Sequence, residues 1–162
     1  MTVVSGSEGA KVGFAPEEVD FDLSTRQARL KWVVVVSADL PPGQAANAAV
    51  CAAAPTVAAV PGLLGSAATD AEGSIHAGLP WLGCSILVAD QAALRAVRAK
   101  AASRTDTFVA DVPAAAQSTR VYSDFVAAVG KAQTDDMDYC AVSIVGPRNR
   151  IDKIVGRLPL MP

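Results

Sequence analysis

Apolar and polar positions along this chain fall into blocks whose spacing changes from strand-like to helix-like and back. Lys31-Trp32 leads into four consecutive valines, Val33–Val36, and then Ser37. A β-branched run of that length with no polar alternation predicts a strand buried on both faces, as in a sheet covered by helices. Pro41-Pro42-Gly43 ends it and sets a helix start; Gln44–Ala54 is predicted helical, with Pro55 as its stop and a second helical piece over Thr56–Val60. Residues 61–80, rich in Gly, Ser and Asp, are predicted to form a surface excursion holding short strand pieces. Order resumes with a strand over Trp81–Ala89, Asp90 as a helix N-cap, and a helix over Gln91–Ala102 with Leu94, Val97 and Ala101 inside. A short strand over Thr107–Ala110 and a turn at Asp111–Pro113 follow. A helix over Ala114–Lys131 then places Val121, Tyr122, Phe125 and Val129 on one face. The end of the chain reads as strand Asp138–Val145, helix up to Ile154, and a closing strand Val155–Leu160.

This alternation predicts an α/β fold with three layers, α/β/α, around a mixed and mainly parallel sheet. Residues 1–20 are small and polar enough to form a flexible or weakly packed arm, leaving 21–162 as one domain without internal repeats. Composition refines the picture. Hydrophobic residues make up 51% but aromatics only 5%, so the core must be aliphatic and alanine-rich, which suits helices lying close to a sheet.

A net charge of −2 and a pI near 5.3 oppose a broad grip on nucleic-acid phosphates, so DNA is excluded as a partner and tRNA is disfavoured. The longest uncharged apolar stretch, residues 45–69, is broken by Asn, Pro and Gly and makes a poor membrane span. No signal-like leader opens the chain, and a cytoplasmic location is expected. Cys51, Cys84 and Cys140 are odd in number and lack paired metal spacing, so reduced thiols are expected and neither metal nor cofactor is called for. His76 is the only histidine, which leaves any imidazole chemistry to that residue.

The strand–turn–helix junction is the first candidate site, because uncrowded N–H groups at a helix start, here beside Gly43, attract polar ligands. Gln44, Asn47 and Cys51 stand at i, i+3 and i+7 and share one helix face. They either line a pocket or satisfy local backbone groups while Cys51 packs as a small hydrophobe. Asp111, at the expected end of a short strand, is a candidate general base or an N-cap for the helix that follows. Gln117 and Thr119, on the first turns of that helix, would complete a polar cluster with it. Asp70, Glu72 and His76 have donor types a metal accepts, but hydrogen bonding within a loop explains them equally.

Residues 141–160, Ala-Val-Ser-Ile-Val-Gly-Pro-Arg-Asn-Arg-Ile-Asp-Lys-Ile-Val-Gly-Arg-Leu-Pro-Leu, resemble the carboxyl end of the type 2 (archaeal and eukaryotic) peptidyl-tRNA hydrolases. Asp39-Leu40, Gly43 and the alanine-rich helix resemble the first strand–helix junction of those enzymes. Gly43–Ala48, Asp70–Gly73, His76 and Ala114–Tyr122 together resemble an uncharacterised bacterial family, the domain of unknown function DUF2000, that shares the hydrolase fold. The resemblance implies a type 2 peptidyl-tRNA hydrolase-like fold and, at Asp111 and Thr119, counterparts of the hydrolase site residues. It also shows departures: Gln44 and Cys51 stand where the hydrolases carry lysine and histidine. Loss of a cationic anchor weakens any role on tRNA. Three functions follow as expectations. The first is a protein that binds a small molecule or protein partner through a polar pocket around Gly43, Gln44, Asn47, Gln117 and Thr119. The second is a hydrolase of an acyl ester or amide using Asp111 or His76, and the third a structural homo-oligomer.

Overall fold

A computed structural model describes residues 12–162. Strand β1 (Leu30–Ser37) is the valine run, and its side chains alternate between two apolar clusters. Trp32, Val34 and Val36 face helix α1 (Pro42–Ala59), whereas Val33 and Val35 face helices α2 (Gln91–Ala102) and α5 (Arg148–Val155). Helices thus cover both faces of the sheet, in three layers. The remaining strands of the main sheet are β4 (Ser85–Ala89), β5 (Phe108–Pro113) and β6 (Tyr139–Pro147), in the order β4-β1-β6-β5. Two short strands, β2 (Ala68–Thr69) and β3 (Ile75–His76), pair as a hairpin within the surface excursion.

The sheet is mixed, but its pairing is not mainly parallel as expected: β1, β4 and β5 share a direction, yet β6 lies between β1 and β5 and is antiparallel to both, so β1–β4 is the one parallel pair of the main sheet among the described residues. The reason lies in the connection from β5 to β6. It holds two short helices, α3 (Ala115–Ser118) and α4 (Tyr122–Lys131), in place of the single helix expected over 114–131. The Ala114 N–H donates to Asp138 O at 2.8 Å, so the segment returns to the place it left and β6 runs back alongside β5. A crossover helix would have carried the chain to the other end of the sheet and made the pair parallel. Because this connection never crosses the sheet, no residue of α4 is buried.

Helix α1 passes through Pro55 rather than stopping there, and absorbs the expected second piece. Cys51 and Pro55 both lie on its exposed side, where a carbonyl deprived of its N–H partner is still hydrated. On the inner side Ala45, Ala48, Ala49 and Ala52 are buried, and their small side chains let the helix approach the sheet. One buried polar chain crosses this contact. Thr56 Oγ1 donates to Ala52 O at 2.8 Å and so accepts from Ser143 Oγ at 2.7 Å, while Ser143 Oγ accepts from Trp32 Nε1 at 2.9 Å. Every donor in the chain is used.

Asp90 caps α2 as expected, accepting from Ala93 N at 2.8 Å. The expected strand over 155–160 is not formed. Gly156 turns the chain with φ +59° after α5, and a single bridge joins Leu160 to Leu87. Backbone bonds from Val88 N to Pro159 O and from Met161 N to Ile86 O lay this tail along the outer edge of β4. Of the expected arm 1–20, residues 1–11 lie outside the described residues. Phe14 is buried beside the Trp81 ring, 5.0 Å between centroids, and its N–H donates to Pro61 O.

Candidate functional site

Ser37 ends β1, and α1 begins with Pro42 in its first turn, where the absent N–H costs nothing. Gly43 and Gln44 are exposed there, and a Cβ on Gly43 would meet nothing within 4 Å. Gln117 Nε2 donates to Gln44 O at 3.0 Å, tying α3 to the first turn of α1. One turn further on, the Cys51 thiol reaches Asn47 Oδ1 at 3.8 Å, as a shared helix face requires.

Below this junction a cavity of about 620 Å³ opens between the second half of α1, the end of β5 and the α3–α4 segment. Cys51, Ala54 and Pro55 form one wall, Asp111, Val112 and Pro113 the floor, and Ala116, Thr119–Tyr122 and Phe125 the other wall. The helix breaks at Thr119, which is extended at φ −107° and ψ 146°. Its Oγ1 donates to Ala115 O at 2.9 Å, and Ser118 Oγ donates to the same carbonyl at 3.1 Å. Side chains competing for a helix carbonyl in this way favour an end to the helix. Val121, Tyr122 and Phe125, expected as the inner stripe of one long helix, therefore line a cavity, with Tyr122 79% exposed and its ring 5.6 Å from that of Phe125.

The structure brings only some of the sequence candidates together. Cys51, Asp111 and Thr119 share the cavity, whereas Gly43, Gln44, Asn47 and Gln117 are not in its lining. Asp111 is not at a strand end but within β5, level with Val35, and its carboxylate accepts from Arg98 Nε of α2 at 3.0 Å. That bond raises the Arg98 pKa above its ordinary value and occupies the carboxylate on the α2 side of the sheet. His76 lies in the β2–β3 hairpin with Nε2 3.3 Å from Asp70 Oδ2. Asp70 Oδ1 also accepts from the N–H groups of Glu72 and Ser74, both at 2.9 Å. The Ser74 N–H first, then His76, hold the Asp70 carboxyl below the usual carboxylate range. Among the described residues no group of three or more metal-ligating side chains converges.

Sequence reasoning missed Ala54, Pro55, Val112, Pro113 and Ala116, because small apolar residues carry no chemical signature, and Arg120, because a lone arginine on an expected helix reads as a solvated face. What was visible was the apolar stripe of Val121, Tyr122, Phe125 and Val129.

A family model described as "Protein of unknown function (DUF2000)" matches residues 30–162. The chain belongs to this family. The DUF2000 span starts at the first residue of β1 and contains all four strands of the sheet, helices α1 to α5 and every residue lining the cavity. Among solved structures, a protein of unknown function from Agrobacterium tumefaciens strain C58 is similar, with a TM-score of 0.77 and 19% identity. The match covers 83% of this chain and 98% of that one, and shows a common fold. No curated protein matches the sequence. Among the described residues, no helix is long and apolar enough to cross a membrane.

Proposed function

We propose that this DUF2000 chain is a cytoplasmic binding protein with a type 2 peptidyl-tRNA hydrolase-like fold, and that its ligand is a small molecule with an apolar body and one anionic end. The observation that carries the reading is the cavity: its volume lies within the usual range for small-molecule sites, and its lining is mostly aliphatic and aromatic. Asp111, its one acidic residue, already faces a guanidinium, whereas Arg120 makes no ion pair among the described residues. The charge left to be answered in the lining is positive, which favours a carboxylate or similar group at that end. Thr119 and Tyr122 supply hydroxyls at the rim.

Relation to the hydrolases rests on the resemblance of residues 141–160 and of the β1–α1 junction. The position of Gln44 without a cation argues for small-molecule binding over tRNA.

A thermal-shift screen of acyl acids, amino acids and nucleotides tests the reading, since a ligand specific for the folded state raises the melting temperature by mass action. Acyl acids are expected to stabilise the native chain but not Ala54→Trp, which fills the cavity from an exposed helix position. Arg120→Gln is expected to abolish the preference for the acid over its neutral amide. Equal shifts in Ala54→Trp would remove the cavity from the account.

A further inference from the structure

The far end of β1 carries a second concavity of different character, about 330 Å³ in volume, where β1 and β4 begin. Val36 is level with Val112 in the cavity floor, whereas Lys31 in this cleft stands five residues earlier in β1, roughly 17 Å along the strand. Arg26, Lys31 and Arg148 line the cleft, and no carboxylate does. They come from three separate segments: the loop before β1, β1 itself and the first position of α5.

Two of these cations are held in place. Arg148 Nη2 donates to Thr25 O at 2.7 Å and to Ala28 O at 3.3 Å, and its Nε donates to Ala28 O at 3.4 Å. This leaves Nη1 without a partner among the described residues. Lys31 Nζ lies 2.6 Å from Asp152 Oδ1. Arg26 makes no ion pair among the described residues. Three cations against the one carboxylate of Asp152 leave two positive charges at the cleft, on a chain whose net charge is −2. Cys84, also in the wall and exposed, does not offset them, because desolvation by the surrounding protein raises its thiol to about 12 and keeps it neutral at physiological pH. Like charges gathered in one concavity disfavour folding unless a counter-charge answers them. Trp32 and Leu82 lie behind the cleft but are buried in the core, so the surface it exposes is mainly polar.

We infer that this cleft is a second binding site, for the dianionic phosphoryl group of a small phosphomonoester. The free Nη1 edge of Arg148 and the unpaired guanidinium of Arg26 match the acceptor oxygens of a phosphoryl group, and Lys31 contributes charge. Two net charges match a dianion better than a monocarboxylate. Arg26 lies before the DUF2000 span, so one of the three cations belongs to this chain outside the family match.

Titration of ¹⁵N-labelled protein with inorganic phosphate, and then with phenyl phosphate, tests the site. Saturable shifts are expected at the amides of Gly83, Cys84 and Ser85 with both, through the phosphoryl group they share. Arg26→Ala should weaken binding about tenfold or more, the effect of one lost charge-assisted hydrogen bond, and Arg26→Lys retain most of it; Lys31→Met should also weaken binding, by removing a positive charge and leaving Asp152 unpaired beside the cleft. Arg148 also pins the Thr25–Ala28 loop, so it is left intact. Ala54→Trp should not alter phosphate binding, which separates this site from the cavity. Shifts that sodium chloride reproduces at equal ionic strength, or phosphate binding unchanged in Arg26→Glu, would overturn the proposal.

Discussion

Ser143 is buried on β6 and serves both as acceptor for Trp32 and as donor to Thr56. Replacing it with alanine leaves the Trp32 N–H buried and unpartnered. Ser143→Ala should therefore cost about 1–3 kcal/mol in urea unfolding, with an unchanged m-value. A loss below about 0.5 kcal/mol would mean that the chain of hydrogen bonds does not hold α1 to the sheet. Cysteines give a second test at this scale. Cys51 and Cys84 both reach the surface and Cys140 is buried, but desolvation by the surrounding protein raises the thiols of Cys84, to about 12, and of Cys140. Only the thiolate reacts with iodoacetamide, and at pH 8 a thiol of pKa 12 is ionised in roughly one molecule in ten thousand. Labelling at pH 8 should reach Cys51 well before the other two, and Cys84 should accelerate as pH rises toward its pKa. Equal rates at Cys51 and Cys84 would contradict this. Single residues were legible in the sequence where one side chain decides a local geometry, as Asp90 does for α2. Asp111 was not, because its role depends on Arg98, thirteen residues away on another element.

Helices and strands divide along the same line. The valine run of β1, the apolar stripe of α2 and the β6–α5 pair are set by local periodicity, and the structure contains them close to the expected positions. Strand direction is not local: a strand buried on both faces looks the same whether its neighbours run parallel or antiparallel, so the antiparallel setting of β6 was invisible. The break between α3 and α4 escaped for a related reason. An apolar stripe at helical spacing normally marks a face against a sheet, but residues 114–138 return to their origin and leave that stripe on the cavity rim. With no buried residue, α4 has little tertiary packing to protect it. Hydrogen exchange should therefore show α4 amides opening at far lower free energy than those of β1 and β6. Protection of α4 equal to that of the central strands in the free protein would mean that something else covers it.

At the scale of the whole molecule, the three-layer arrangement separates two concave regions by the length of β1. One is apolar with a cationic rim and lies under the β1–α1 junction. The other is basic and lies where β1 and β4 begin. The sequence pointed to the junction, through Gly43 and the shared face of Gln44, Asn47 and Cys51, but the cavity opens deeper along α1, where Ala54 and Pro55 carry no chemical label. The most direct measurement of the central claim is a ¹H–¹⁵N titration with octanoate, followed residue by residue. Saturable shifts are expected to be confined to residues 51–56, 110–112 and 114–126 and to be lost in Ala54→Trp. Shifts centred instead on residues 39–47 or on the hairpin around His76, and unchanged by Ala54→Trp, would contradict it.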